Sequence, residues 1–149
     1  NRKKDYLLKH ILSIRARTWT EQVEAPLKID DLMSGKVGIL IIDTLTDNFV
    51  YEFQTGKYIR ERQIALTKHL HELAMIAIEK EIAVVVTNTV RTRMPENGNI
   101  YVIETGGNTV SQGVHTRLRL ARANKEWSAQ LNNDEKSIRF KIGERGLMD

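Results

Sequence analysis

Residues 36–43 read Lys-Val-Gly-Ile-Leu-Ile-Ile-Asp, a continuous apolar run closed by one carboxylate, Asp43, and followed by Thr44, Leu45, Thr46, Asp47 and Asn48. The run is too short and too rich in β-branched residues for a helix. It reads as a strand buried on both faces, as in parallel sheets. Asp43 then stands at the strand's carboxyl end, the edge where open α/β sheets bind ligands. An acid there with a hydroxyl beside it, here Thr44, is how nucleoside triphosphatases hold Mg²⁺. The plainer reading is an aspartate that caps the following turn.

Working outward, residues 59–80 carry the clearest helical pattern. Ile64, Leu66, Leu70, Leu73, Ala74, Ile76, Ala77 and Ile78 make a broad apolar face with no Gly or Pro to interrupt it. Residues 81–87 give a second buried strand, which runs into Thr87-Asn88-Thr89. A strand, a long helix and a strand in that order predict a parallel crossover, with both strand ends on one edge of the sheet. Two loops leave that edge, 47–58 and 90–105, the second containing Pro95, Gly98 and Asn99. Loops of this length in a compact domain are usually functional or disordered.

Further out, residues 1–10 are basic and read as the end of a helix, and 11–17 as a strand. Residues 18–34 have helical spacing through Trp19, Val23, Leu27, Ile29, Leu32 and Met33, with Pro26 bending it and Gly35 as the stop. On the other side, 108–113 suggest a short helix. Residues 115–122 alternate basic and apolar like a strand with one wet face. Residues 123–134 read as a polar turn around Trp127, and 137–142 as a last strand ending at Gly143.

The chain has 149 residues, enough for one domain with a real core. Its 23 Lys and Arg against 19 Asp and Glu leave a net charge of +4. That excess permits nucleic-acid binding without arguing for it unless the charge is clustered. There is no cysteine, which excludes disulfides, thiolate metal sites and cysteine nucleophiles. No apolar run approaches the roughly eighteen residues of a membrane span, and no signal-type core follows the basic start. The expected location is cytoplasmic, or nuclear in a nucleated cell, with no membrane partner.

From Gly38 to Arg122 the chain resembles the second half of the ATPase core of the RadA family, archaeal and eukaryotic relatives of the RecA strand-exchange recombinases. The residues that carry the resemblance are Ile42-Asp43-Thr44-Leu45-Thr46 at the Walker B strand, Glu61-Arg62-Gln63 opening the long helix, and His69-Leu70-His71-Glu72-Leu73 within it. They continue with Ile82-Ala83-Val84-Val85-Val86-Thr87-Asn88, then Gly106-Gly107, Arg117, Gly146 and Asp149. The resemblance implies a single RecA-like P-loop NTPase core domain over 1–149, α/β, with a central mostly parallel sheet flanked by helices. It implies a DNA recombination and repair protein whose cofactors are ATP and Mg²⁺. Asp43 would contact Mg²⁺ through water, with Thr44, Asn88 and Thr89 on the nucleotide side. The regions 47–62 and 89–107 would be the DNA loops, with Arg60, Arg62, Arg91, Arg93, Gly106 and Gly107 facing single-stranded DNA. Basic side chains on loops suit phosphates, and small residues let the backbone approach.

The sequence also departs from the family. The phosphate loop G-x-x-x-x-G-K-[ST] is nowhere in these residues, and without its lysine and backbone N–H groups a triphosphate has no cradle. The family's water-activating glutamate belongs to the same upstream half, so the chain contains no catalytic residue of its own and is expected to be inactive as an ATPase alone. Thr89 stands where the family has a γ-phosphate-sensing glutamine, Val50 where it has a DNA-contacting arginine, and residues 123–136 lack the proline of its ATP cap. Two origins fit, a piece of a longer recombinase or a divergent paralogue.

The simpler readings are solvated loop charges for Arg91 and Arg93, and an exposed strand face for Arg117, Arg119 and Arg122. His69 and His71 lie two apart on different faces of the helix, unlike metal ligands. Trp19 and Trp127 suit packing, while Tyr51, Phe53 and Tyr58 suit base stacking. Association with a recombinase or with itself is the expected protein contact. The alternatives from other classes are a non-catalytic RecA-like regulator that binds a protein partner, and a signalling ATPase of the KaiC type. The Glu61-Arg62-Gln63 and Gly106-Gly107 matches argue against the second.

Overall fold

The computed structural model describes residues 5–6, 8–28, 37–94, 98, 101–124, 126–131, 136–144 and 146–148. The expected features at Ile29, Leu32, Met33, Gly35, Lys36, Pro95, Asn99 and Asp149 lie outside them. The chain forms two compact units, Asn1–Val110 and Ser111–Asp149. Both are built from mixed helices and strands or strands alone, giving a mixed α/β chain.

In the first unit, Asp5, Tyr6 and Leu8 are helical, as the basic start suggests. Residues 11–17 are not a strand, contrary to expectation. An extended segment becomes a strand only where a neighbouring edge takes its backbone hydrogen bonds, and Ile11, Leu12 and Ile14 stand exposed instead. Helix α1, Trp19–Leu27, begins at Thr18, whose hydroxyl accepts from Glu21 N–H at 3.1 Å. The Glu21 carboxylate in turn accepts from Arg17 N–H at 2.7 Å, close to the reciprocal pattern of a capping box. Pro26 sits in the last turn, where the helix stops well short of residue 34.

Strands β1, Ile39–Ile42, and β2, Ala83–Val86, pair in parallel, Ile39 opposite Ala83 through Ile42 opposite Val86. Between them lie α2, Asp47–Glu52, a single 3-10 turn, Gly56–Tyr58, and α3, Ile59–Glu79. The segment 47–58 is thus mostly helical, where an irregular loop was expected. Helix α3 agrees with its pattern to within a residue, but its buried stripe is narrower. Leu66, Leu70, Leu73 and Ile76 point inward, whereas Ile64 and Ile78 are exposed. With Leu45, Phe49, Ile82 and Val110 they make the core, beside a ring cluster in which Trp19 lies 6.0 Å from Phe49 and 5.7 Å from Phe53.

Burial alternates along β1 and β2, with Ile39, Ile41 and Val85 exposed. The two-faced burial predicted for these strands is therefore corrected to one covered face. The segment 90–105 is also more ordered than a loop: β3, Val90–Arg93, and β4, Tyr101–Glu104, form an antiparallel hairpin. Helix α4, Asn108–Gly113, follows as predicted.

The second unit contains an antiparallel sheet of β5, Leu118–Ala123, β6, Glu126–Leu131, β7, Ser137–Gly143, and β8, Gly146–Met148, in chain order. Strand β6 occupies half of the segment read as a polar turn. Trp127 is a strand residue, stacked on Phe140 at 6.4 Å with the Arg122 guanidinium 5.5 Å from its ring. The central, mostly parallel sheet is corrected accordingly: among the described residues only β1 and β2 are parallel. Connections of a few residues return the chain antiparallel, because a parallel return needs a long crossover.

Candidate functional site

The carboxyl ends of β1 and β2 are joined by their own continuations. Thr87 N–H donates to Ile42 O at 3.0 Å, and Leu45 N–H donates to Thr87 O at 2.9 Å. At this edge Asp43 is exposed, and its Oδ1 accepts from the Thr87 hydroxyl at 2.5 Å. The Asp43–Thr44 peptide bond is cis. The neighbouring Thr44 hydroxyl is buried and meets no protein partner. Below the loop, the buried Gln22 amide donates to Leu45 O at 2.8 Å, while its carbonyl accepts from Asn48 at 2.9 Å, so α1 holds the segment after Asp43 from beneath.

A second set of bonds runs from that segment to the hairpin. The Thr46 hydroxyl donates to Asn88 Oδ1 at 2.7 Å, and Asn88 Nδ2 donates to Thr105 O at 2.7 Å. Thr89 closes the hairpin's base: Thr105 N–H donates to Thr89 O at 3.0 Å, and the two hydroxyls lie 3.1 Å apart. Thr89 is thereby engaged within the hairpin, at the position where the family pattern has a longer side chain.

The four candidate nucleotide-side residues, Asp43, Thr44, Asn88 and Thr89, come together at one sheet edge. Arg91 and Arg93 leave from the same edge on β3, both exposed. Arg91 is opposite Ile103 and Arg93 opposite Tyr101, and directly opposed residues of an antiparallel pair share a face. Arg91, Arg93, Tyr101 and Ile103 therefore form one exposed surface. Gly106 and Gly107 turn the chain from β4 into α4 with φ of +87° and +56°. Arg60 and Arg62 lie on a different element, the first turn of α3, with Arg60 exposed and Arg62 half-buried. That turn is tied to the residues after Gly107 by a hydrogen bond from the Thr109 hydroxyl to Gln63 Oε1. The first-loop aromatics are not alike: Tyr51 and Tyr58 are exposed, while Phe53 packs on Trp19.

As a cation site, this edge supplies one carboxylate and the orphaned Thr44 hydroxyl. Mg²⁺ keeps several waters and needs only one or two carboxylates when phosphates complete its shell, so this donor set fits the outer part of such a site. Among the described residues, no group of three or more His, Asp or Glu side chains is arranged to hold a metal ion. His69 is buried against Phe49, 5.7 Å between ring centres, and neither ring nitrogen finds a protein partner. Burial lowers its pKa from 6.5 to about 4.

Reading residue types alone assigns no role to Thr46, Thr87 or Tyr101. Thr46 and Thr87 resemble any threonine after a strand, and only the pairing of β1 with β2 shows what they join. Tyr101 follows a Gly- and Asn-rich stretch, and only the hairpin register sets it beside Arg93.

The sequence profile of the Rad51 family matches residues 2–149. The DNA repair and recombination protein RadA of Metallosphaera sedula is 25% identical over 150 aligned residues. The alignment covers 96% of this chain and 46% of that relative, so the chain spans about half the relative's length. Among the described residues, no helix is long and apolar enough to cross a membrane.

Proposed function

Because the chain belongs to the Rad51 family, we propose that it serves DNA recombination and repair as the second half of a RecA-like ATPase core, binding single-stranded DNA through the β3–β4 hairpin. The observation that carries this reading is the exposed hairpin face of Arg91, Arg93, Tyr101 and Ile103. Guanidinium groups neutralise phosphates and an aromatic ring offers a stacking platform, the combination that single-strand binders use. Gly106 and Gly107 follow the hairpin, and Arg60 and Arg62 in the first turn of α3 are assigned to DNA in the same reading. Asp43 and Thr44 are assigned to the outer shell of Mg²⁺ on ATP, with Asn88 and Thr89 beside them. A bound Mg²⁺-triphosphate would supply the hydrolysable bond. These residues contribute a carboxylate and hydroxyls at the sheet edge, while the phosphate cradle must come from outside the 149 residues. Association with a recombinase or with further copies of the chain belongs to the same reading.

The test is binding to labelled single-stranded DNA across a salt series, with and without Arg91→Ala plus Arg93→Ala. If each arginine neutralises one phosphate, the double variant flattens the log–log salt slope by about 1.4, at roughly 0.7 per phosphate for single strands. An unchanged slope removes the two arginines from the interface. No binding by the folded chain at low salt would sink the DNA-binding assignment and turn attention to a protein partner.

A further inference from the structure

Thr46 stands between the two ends of the hairpin. Its hydroxyl donates to Asn88, which precedes β3 and in turn donates to Thr105 O just after β4. Its methyl faces Gly106: a Cβ built on that glycine would lie 3.4 Å from Thr46 Cγ2, 3.2 Å from Leu66 Cδ2 and 2.5 Å from Val110 Cγ2. The threonine is 1% exposed and lies three residues after Asp43, on the same loop. The loop carrying Thr46 is itself held by Leu45 N–H to Thr87 O and by Gln22 to Leu45 O.

We propose that Thr46 is a positioning residue that holds both feet of the β3–β4 hairpin against the loop after Asp43, its hydroxyl acting through Asn88 and its methyl under Gly106. Side-chain bonds of this kind fix an angle that a two-stranded hairpin cannot fix alone, since an isolated hairpin is marginally stable in water. A loop that moved at Asp43 would therefore move the hairpin with it. The consequence for DNA rests on the hairpin being the DNA-binding surface, as proposed above; the consequence for the hairpin itself does not.

Thr46→Val keeps the methyl and removes only the donor, leaving Asn88 Oδ1 without its partner. The losses expected are of the size of one part-buried hydrogen bond. Single-stranded DNA affinity at fixed salt falls about fivefold. The salt slope stays at the wild-type value, because the number of neutralised phosphates is unchanged. That pattern differs from the flattened slope expected of the arginine variant. Exchange of the Thr105 amide, bonded to Thr89 O, quickens in Thr46→Val relative to amides in the middle of α3. Thr46→Ser, which keeps the hydroxyl, binds within about twofold of wild type and restores the exchange rate.

Asn88→Ala removes the same link from its other end together with the bond to Thr105 O, and shows both effects at least as strongly if Thr46→Val fails to fold. When both singles fold, the double variant loses no more than Asn88→Ala alone, because the bond that Thr46→Val removes is already gone in Asn88→Ala. Wild-type affinity together with wild-type Thr105 exchange in a folded Thr46→Val chain overturns the proposal, whatever happens to its melting temperature. If the wild-type chain binds no DNA, the DNA-binding reading falls, and the exchange measurement still decides whether Thr46 positions the hairpin.

Discussion

His69 is buried in the middle of α3 with both ring nitrogens unpartnered, and its folded pKa is lowered from 6.5 to about 4 by loss of solvent. Between those values the unfolded chain binds a proton that the folded chain refuses, so stability rises with pH across this window. Lowering the pH from above 6.5 to about 4 should cost about 3 kcal/mol through this one group, because each pH unit between the two values is worth about 1.4 kcal/mol. His69→Leu removes the group at similar volume and leaves no buried polar atom without a partner. Urea unfolding at pH 7.5 and pH 4.5 should show the variant at least as stable as wild type at the higher pH, and markedly less weakened at the lower. Equal pH dependence in both chains would mean that His69 is hydrated or bonded when folded. The same residue shows the limit of reading types in a sequence. Two histidines two apart exclude a shared helix face, yet nothing in His69 itself tells that it, and not His71, enters the core. Asp43, Arg91 and Arg93 stand out as candidates in the sequence because a terminal carboxylate after an apolar run and arginines on a connecting segment carry their chemistry in their type. Thr46 and Tyr101 meet their partners more than ten residues away or across a strand pair, which residue type alone cannot show.

The turn between β4 and α4 makes the two adjacent glycines unequal. Gly106 has φ +87° and a would-be Cβ 2.5 Å from Val110 Cγ2, whereas Gly107 has φ +56° and open space. Any side chain suffers from a positive φ, at roughly 1–2 kcal/mol. Only Gly106→Ala must also push aside a core valine that is 2% exposed. The urea midpoint should therefore fall further for Gly106→Ala than for Gly107→Ala, and Gly107→Asn should be milder still, since asparagine tolerates the left-handed region. Equal losses would argue that α4 yields freely at Val110. The long, uninterrupted apolar period of α3 made that helix legible to within a residue, and the short β-branched runs made β1 and β2 legible as a parallel pair. Strand β6 was hidden because Glu126-Trp127-Ser128-Ala129-Gln130 has few large apolar residues. Its strand character comes from pairing with β5 and β7 on both sides. The hairpin was hidden for a related reason: Val90-Arg91-Thr92-Arg93 alternates polar and apolar only weakly, and it becomes a strand by pairing with 101–104.

At the scale of the whole chain, every described residue that is buried lies in Asn1–Val110, and none lies in Ser111–Asp149. The register of the second unit explains why. Leu118, Leu120, Trp127, Leu131, Ile138, Phe140, Ile142 and Leu147 share one face of the β5–β8 sheet, and Arg119, Ser128, Gln130, Ser137, Arg139 and Lys141 share the other. Ile138 and Leu147 on the apolar face are 73% and 75% exposed. A sheet of this size gains from its backbone ladder and a few ring contacts, each net bond contributing about 1 kcal/mol, and a unit near forty residues seldom holds together without a further device. The α3 stripe of Leu66, Leu70, Leu73 and Ile76, by contrast, is buried in the larger unit. Local opening should therefore cost much less in the sheet than in the helix. Amide exchange of the full chain is expected to be at least roughly a hundredfold faster across β5–β8 than along the middle of α3, a gap of about 2.7 kcal/mol in opening free energy. Equal protection in both would show that the apolar face of β5–β8 is covered in solution. Protection that rises only with chain concentration would assign that cover to a second copy, since mass action stabilises whatever binds the folded form.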